Sequence, residues 1–154
     1  MNESKRIADQ LRRSQQGNAW HGPAVGELLK DVDSALAQRR LAPGAHNIWE
    51  LALHITAWQA ATVRAVQGET MPQLDGPDDW PVAGQTEKDW RNAVECLEGV
   101  NAELVASLAG LPDERLADTV PSREYSFYYL LHGVAQHNLY HAGQIAIVKV
   151  AARA

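Results

Sequence analysis

From Asn47 to Gln67 the chain contains neither proline nor glycine, and Ile48, Leu51, Ile55, Trp58, Thr62 and Val66 recur along it at intervals of three and four. That interval belongs to a helix with one apolar stripe, not to a strand. A second such run extends from about Thr86 to Leu108, with Trp90, Val94, Leu97, Asn101, Leu104 and Leu108 on the stripe and Gly110 at its end. A third, rich in Tyr, Leu, Ile and Val, runs from Tyr125 to Val150. Near the N-terminus, Asn2 or Ser4 is placed to cap a helix over about residues 4–17, closed by Gly17-Asn18. Shorter helical pieces are expected after Pro23, around Val25, Leu28 and Leu29, and from about Asp33 to Arg40. Residues 68–83, GETMPQLDGPDDWPVA, read as a crossover loop, and residues 110–124 as a second loop. No segment alternates apolar and polar residues, and no internal repeat is visible. The expected fold is all-α: a four-helix bundle with one long crossover connection and short extra helices, formed as a single domain over residues 1–154.

A chain of 154 residues can bury a sizeable core without metal or disulfide staples, so a metal here would serve function before stability. Charge narrows the partners. The chain has 14 Lys+Arg against 19 Asp+Glu and no run of basic residues, which argues against nucleic acid. Cys96 is the only cysteine, so an intrachain disulfide, a CxxC redox centre and a thiolate metal site are all taken as excluded. Imidazole and carboxylate remain as ligands. The segment MNESKRIADQLRRSQQ has no apolar core of the secretory kind, and no apolar stretch approaches the roughly 18 residues that span a bilayer. The expected location is a reducing cytoplasm, with no membrane partner.

His137 and His141 lie four residues apart in the last helical run, so at about 100° per residue they project from one face. Two imidazoles so placed can chelate one cation. The residue after His137 is Asn138, so the glutamate base of an HExxH metalloprotease is missing. Hydrogen-bonded histidines at a polar helix crossing would give the same spacing, and the pair alone is a weak signal. His54 adds to it, because it sits among Leu51, Leu53, Ile55 and Trp58, where a histidine needs a polar partner or a ligand role. Gln144 shares the face of His137 and His141 and is a candidate partner for an imidazole. His132, about 140° round the helix from His137, should point elsewhere. Glu50, one turn before His54, is the carboxylate nearest to the ligands by sequence. It is a candidate general base, with a solvated or imidazole-clamping role as the alternative. Trp20, His21, Trp49, Trp58 and Tyr140 are candidates for the pocket mouth.

The run NIWELALHITAW over residues 47–58, followed by HGVAQHNLYHAGQI over residues 132–145, resembles the DinB/YfiT-like superfamily. Trp20-His21-Gly22-Pro23 followed by Leu28-Leu29 resembles one subgroup of it. The resemblance implies a four-helix bundle with a three-histidine site for zinc, nickel or a similar ion, which places the ligands at His54, His137 and His141. Some members are thiol S-transferases or isomerases that use bacillithiol or mycothiol, and the resemblance also points to a homodimer.

Three histidines with no fourth protein ligand leave a position open, as in catalytic metal sites. The expected chemistry is activation of a low-molecular-weight thiol for attack on a small-molecule electrophile, with Glu50, Gln144 and Tyr140 as candidate catalytic residues. Two alternatives stay open: metal-dependent hydrolysis, and a stress-associated binding or dimerisation protein whose metal site is vestigial.

Overall fold

The computed structural model describes residues 2–153. Its seven α-helices are α1 (Glu3–Gln16), α2 (Val25–Leu29), α3 (Ser34–Ala37), α4 (Ile48–Val66), α5 (Gly76–Asp79), α6 (Glu87–Ala109) and α7 (Phe127–Ala151). A 3-10 turn spans Asp113–Ala117. Among the described residues the only β pairing is an isolated bridge between Thr119 and Ser126. No helix of the described residues is long and apolar enough to cross a membrane.

The helix starts follow local chemistry. The Asn47 side chain accepts from the Glu50 amide at 2.9 Å while the Glu50 carboxylate accepts from the Asn47 amide at 3.2 Å, a reciprocal cap that fixes where α4 begins. Thr86 and Asp89 do the same for α6, and the Ser126 hydroxyl caps α7 by accepting from Tyr129. Helix α1 departs from the expectation that Asn2 or Ser4 caps it. The Asn2 side chain makes no cap bond, and Ser4 lies inside the helix. Instead the Asp113 carboxylate accepts from the Glu3 amide at 2.8 Å, the Ser4 amide at 2.9 Å and the Ser4 hydroxyl at 2.8 Å. These bonds hold the Asp113 carboxyl below its usual pKa. The cap comes from a residue far along the chain, which no local motif reveals. Other departures are small. Ala24 rather than Pro23 stands at the start of α2, α3 ends at Ala37, and short helical turns lie inside both expected loops.

The four long helices form a ring in which α1 touches α6 and α7, and α4 touches the same two. Directions follow from paired residues. Trp49 meets Trp90, Gln59 bonds Asn101 and Gln67 bonds Glu103, so α4 and α6 run parallel. The start of α4 (Ile48, Leu51) packs with the end of α7 (Ile145, Val148), so these two are antiparallel. Glu3 faces His132 and Ser14 faces Asn138, so α1 runs parallel to α7. Adjacent parallel helices need a connection that travels back along the bundle, which is why residues 67–86 are long.

Two apolar clusters form the core. One holds Ile7, Leu11, Leu104, Leu108, Phe127 and Leu131, and the other holds Ile48, Trp49, Ile55, Trp90, Leu97 and Ile145. A polar chain runs across all four long helices. Asn101 Nδ2 donates to Gln59 Oε1 at 2.9 Å, Gln59 Nε2 to Asn138 Oδ1 at 3.4 Å, Asn138 Nδ2 to Ser14 Oγ at 3.4 Å, and Ser14 Oγ to the Leu11 carbonyl at 2.8 Å. Gln59, Asn101 and Asn138 are each 0% exposed, so these groups depend on one another.

Replacing Gln59 with Leu should orphan Asn101 Nδ2 and Asn138 Oδ1 and cost about 1–3 kcal/mol for each buried group left unpaired. Urea denaturation of the variant should show a lower midpoint with little change in slope. An unchanged midpoint would mean that the chain of amides contributes nothing to holding the helices together.

Candidate metal centre

The cap on α4 sets His54 two turns into that helix, and the antiparallel packing of α7 brings His137 and His141 opposite it. His137 Nε2 lies 3.0 Å from His54 Nε2 and 3.1 Å from His141 Nε2. One ligand atom from each of the three histidines lies within 4.8 Å of the others. His54 and His141 are 5% exposed, while His137 is partly open.

The outer ring nitrogens determine what the inner ones can do. His54 Nδ1 lies 2.7 Å from the Asp79 carbonyl oxygen, which can only accept, so that nitrogen carries the proton and Nε2 presents a lone pair. His141 Nδ1 donates to Gln144 Oε1 at 2.5 Å, and its Nε2 is likewise left as a lone pair. Both lone pairs face His137 Nε2. That atom carries at most one proton, which cannot serve both neighbours. Two ligands held about 2.0–2.1 Å from one ion stand about 3–3.4 Å apart at bond angles between right and tetrahedral, and the observed separations fall there. The donor set therefore suits one divalent cation, with neutral imidazoles from His54, His137 and His141 holding it. Burial, together with the neighbouring His141 and His54, lowers the pKa of His137 to about 3, and burial also lowers that of His141. Both rings stay unprotonated at neutral pH, as ligands must.

Asp79 and Trp80 were not singled out from the sequence, because they lie in the segment read as a plain crossover loop. The Asp79 carbonyl holds His54, and its carboxylate Oδ1 accepts from Trp58 Nε1 at 2.8 Å and lies 3.1 Å from His54 Nδ1. The Trp80 ring stacks between two imidazoles, with its centroid 3.9 Å from His54 and 3.5 Å from His46, both nearly parallel. The signal that could have found them is the Asp79-Trp80 pair itself, an acid and a large aromatic inside a stretch otherwise built for turns.

The other candidates fall into place differently. Gln144 bonds the His141 imidazole, the partner role its helix face suggested. Glu50 bonds Arg40, His46 Nδ1 and the Asn47 amide. Burial opposes its charge, but these bonds outweigh burial and keep its pKa low. Its carboxylate serves as a reciprocal helix cap and as an arginine partner. Tyr140 is exposed, with its ring edge against His141 at 5.1 Å. Trp58 and His137 share a pocket of about 190 Å³ with Tyr125, Tyr129, Leu130, Gly133 and Val134. Trp49 is buried in the core edge-on to Trp90. Trp20 is fully exposed, and His21 is also exposed. His132 packs on Tyr128 and faces Glu3, apart from the three histidines.

A family model described as the DinB superfamily matches residues 20–145, most of the chain and all three histidines. No curated protein and no solved structure matches the chain at a significant level.

Zinc titrated into chelator-stripped protein should bind at one ion per chain, and each of His54→Ala, His137→Ala and His141→Ala should abolish that binding. Gln144→Ala should weaken it about 10- to 100-fold, because His141 loses the group that orients it. Metal-free protein should also lose stability as pH falls. The unfolded chain takes up a proton on residue 137 below about pH 6.5, whereas the folded chain resists it down to about pH 3. Urea midpoints should therefore decline across that window and decline less in His137→Ala.

Proposed function

We propose that this chain, which belongs to the DinB superfamily, is a metal-dependent transferase that joins a low-molecular-weight thiol to a small electrophile at His54, His137 and His141. The observation that carries this reading is the convergence of three imidazole nitrogens, two of them held as lone pairs by Asp79 and Gln144. Zinc or nickel held there supplies two positive charges that favour the thiolate over the thiol, since the imidazoles bring none to offset them.

The protein's own residues account for the rest. Asp79 and Gln144 fix the orientation of two ligand rings, so that their lone pairs stay inward. Trp80 lies flat on His54 and keeps water from that face. The pocket beside His137 is walled by Trp58, Tyr125, Tyr129, Leu130 and Val134, which suits the apolar body of an electrophile of modest size. Tyr140, exposed at the edge of His141, is placed to touch whatever enters from solvent. Hydrolysis would call for a general base, and the Glu50 carboxylate is committed to Arg40 and the start of α4. That favours the thiol reading. By resemblance the thiol is of the bacillithiol or mycothiol kind, and we place the reaction in a reducing cytoplasm.

We also propose that the protein is a homodimer through α7. The exposed positions of that helix from Tyr128 to Val150 are Tyr128, Tyr129, Gln136, Leu139, Tyr140, Gly143, Ile147 and Val150, with no charge among them. A solvent-facing helix surface this long ordinarily carries charges, and a second copy would cover it. Light scattering should give twice the chain mass, with Ile147→Glu shifting it to one chain. A monomeric wild type would end this part of the reading.

The mechanism is tested in a Cys96→Ser background, because Cys96 is exposed and free. Titrating the cobalt-substituted protein with a small thiol should raise a near-ultraviolet sulfur-to-cobalt band and release about one proton per thiol bound. The loaded protein should then consume a generic electrophile only when thiol is present. A spectrum that ignores thiol, together with no thiol-dependent turnover, rules the transferase out and leaves hydrolysis or a non-enzymatic binding role.

A further inference from the structure

We propose that Gly133 keeps open a seat beside His137 for one uncharged aromatic ring, and so sets the class of electrophile that the site accepts. That the ring belongs to an electrophile rests on the thiol-transferase reading. That a ring seats there does not.

Gly133 stands inside α7, where glycine is the least favourable residue after proline. The backbone gives no reason for it, because residue 133 has ordinary helical conformation and no positive φ. Close packing gives none either. A Cβ built on Gly133 meets no atom of another element within 4 Å, whereas one on Gly26 would stand 2.7 Å from the Gln15 carbonyl oxygen. Gly99 and Gly143 have equally open surroundings, but both are exposed on helix surfaces, where open space is solvent. Gly133 is partly buried and lines the pocket of about 190 Å³ that it shares with Trp58, Tyr125, Tyr129 and His137. What the missing side chain leaves is room in that pocket.

The walls select the occupant. None of the lining residues is an acid, a lysine or an arginine, so a charge buried there would go uncompensated. Two of the aromatic walls have their polar groups engaged elsewhere: Trp58 Nε1 donates to Asp79 Oδ1 at 2.8 Å, and the Tyr125 hydroxyl donates to the Met71 sulfur at 3.8 Å. These residues offer a ligand ring surface, as does Tyr129, whose ring centroid lies 5.4 Å from that of Tyr125. A cavity of roughly 150 Å³ takes benzene. About 190 Å³ therefore holds one ring with a short substituent and leaves too little for a fused pair. Position joins the pocket to the histidines. Gly133 lies one helical turn before His137, which lines the pocket and also offers its Nε2 to His54 and His141, so a ring seated there carries its substituent to the edge of the cluster.

The test is an NMR titration of the full chain, metal-free and zinc-loaded in parallel, with benzyl alcohol and with 1-naphthalenemethanol as the two-ring comparison. Benzyl alcohol should shift the Trp58 indole N–H and the Gly133 amide saturably in both forms, and should bind more tightly than the naphthyl alcohol. Gly133→Leu fills the pocket from its own wall and should weaken benzyl alcohol more than about tenfold while zinc still binds at one ion per chain. Gly133→Ala adds one methyl, favours the helix and should weaken binding about threefold, so the comparison stands even if leucine disturbs folding. Gly99→Leu, on the exposed surface of α6, should leave binding unchanged. Absence of a saturable shift, tighter binding of the naphthyl alcohol, unchanged affinity in the Gly133 variants or an equal loss in Gly99→Leu would overturn the proposal. Shifts that appear only in Ile147→Glu would assign the pocket to a second copy of the chain and overturn it too. Ring binding is read here without thiol or turnover, so its failure leaves the transferase reading standing, and a cobalt spectrum that ignores thiol leaves ring binding standing.

Discussion

The hydrogen-bonded chain from Ser14 through Asn138 and Gln59 to Asn101 places one buried polar side chain from each long helix at the same level of the bundle. Apolar contacts tolerate sliding, since one leucine packs much like the next. Amides do not. Moving any helix by one turn, about 5.4 Å, would leave several of these groups in apolar surroundings without partners. The chain of amides therefore sets the register, and the register sets the histidines. Gln59 lies five residues after His54, and Asn138 directly follows His137. The level that pairs Gln59 with Asn138 also brings His54 against His137 and His141.

The parallel run of α4 and α6 carries a second consequence for the site. Their connection must cross the length of the bundle, and on its way it lays Asp79 and Trp80 over the outer edge of His54. One element of topology thus supplies part of the imidazole environment. On α7 the equivalent support is local, because Gln144 sits one turn beyond His141 on the same face. The two outer rings are held by different means, a distant backbone group for one and a helical neighbour for the other.

These differences explain what the sequence made legible. Stripes of Ile48, Leu51 and Ile55, or of Trp90, Leu97 and Leu104, reveal the long helices, because burial repeats at the helical interval. Asn101 was visible on its stripe, but only the folded chain shows that it reaches Gln59. The spacing of His137 and His141 gives a pair on one face, whereas the addition of His54 depends on packing between helices that no local pattern encodes. Gln144 was readable for the same reason as the pair. Asp79, and the Asp113 cap on α1, were not, since both act on residues remote in sequence, Asp79 through its backbone carbonyl and Asp113 through its carboxylate. Glu50 shows the opposite difficulty. Proximity to His54 along the chain suggested shared chemistry, and only the folded chain shows that its carboxylate bonds Arg40 and the Asn47 amide at the start of its own helix.

The bond from His54 goes to the main-chain oxygen of residue 79, an atom present whatever side chain stands there. Point changes along the crossover can alter what lies over the site without removing that bond. Insertions and deletions are another matter, because one residue more or fewer between α4 and α6 moves the carbonyl itself. The segment is thus free to diversify in composition while its length is constrained, and related chains that share this support should differ there by substitution far more often than by gaps.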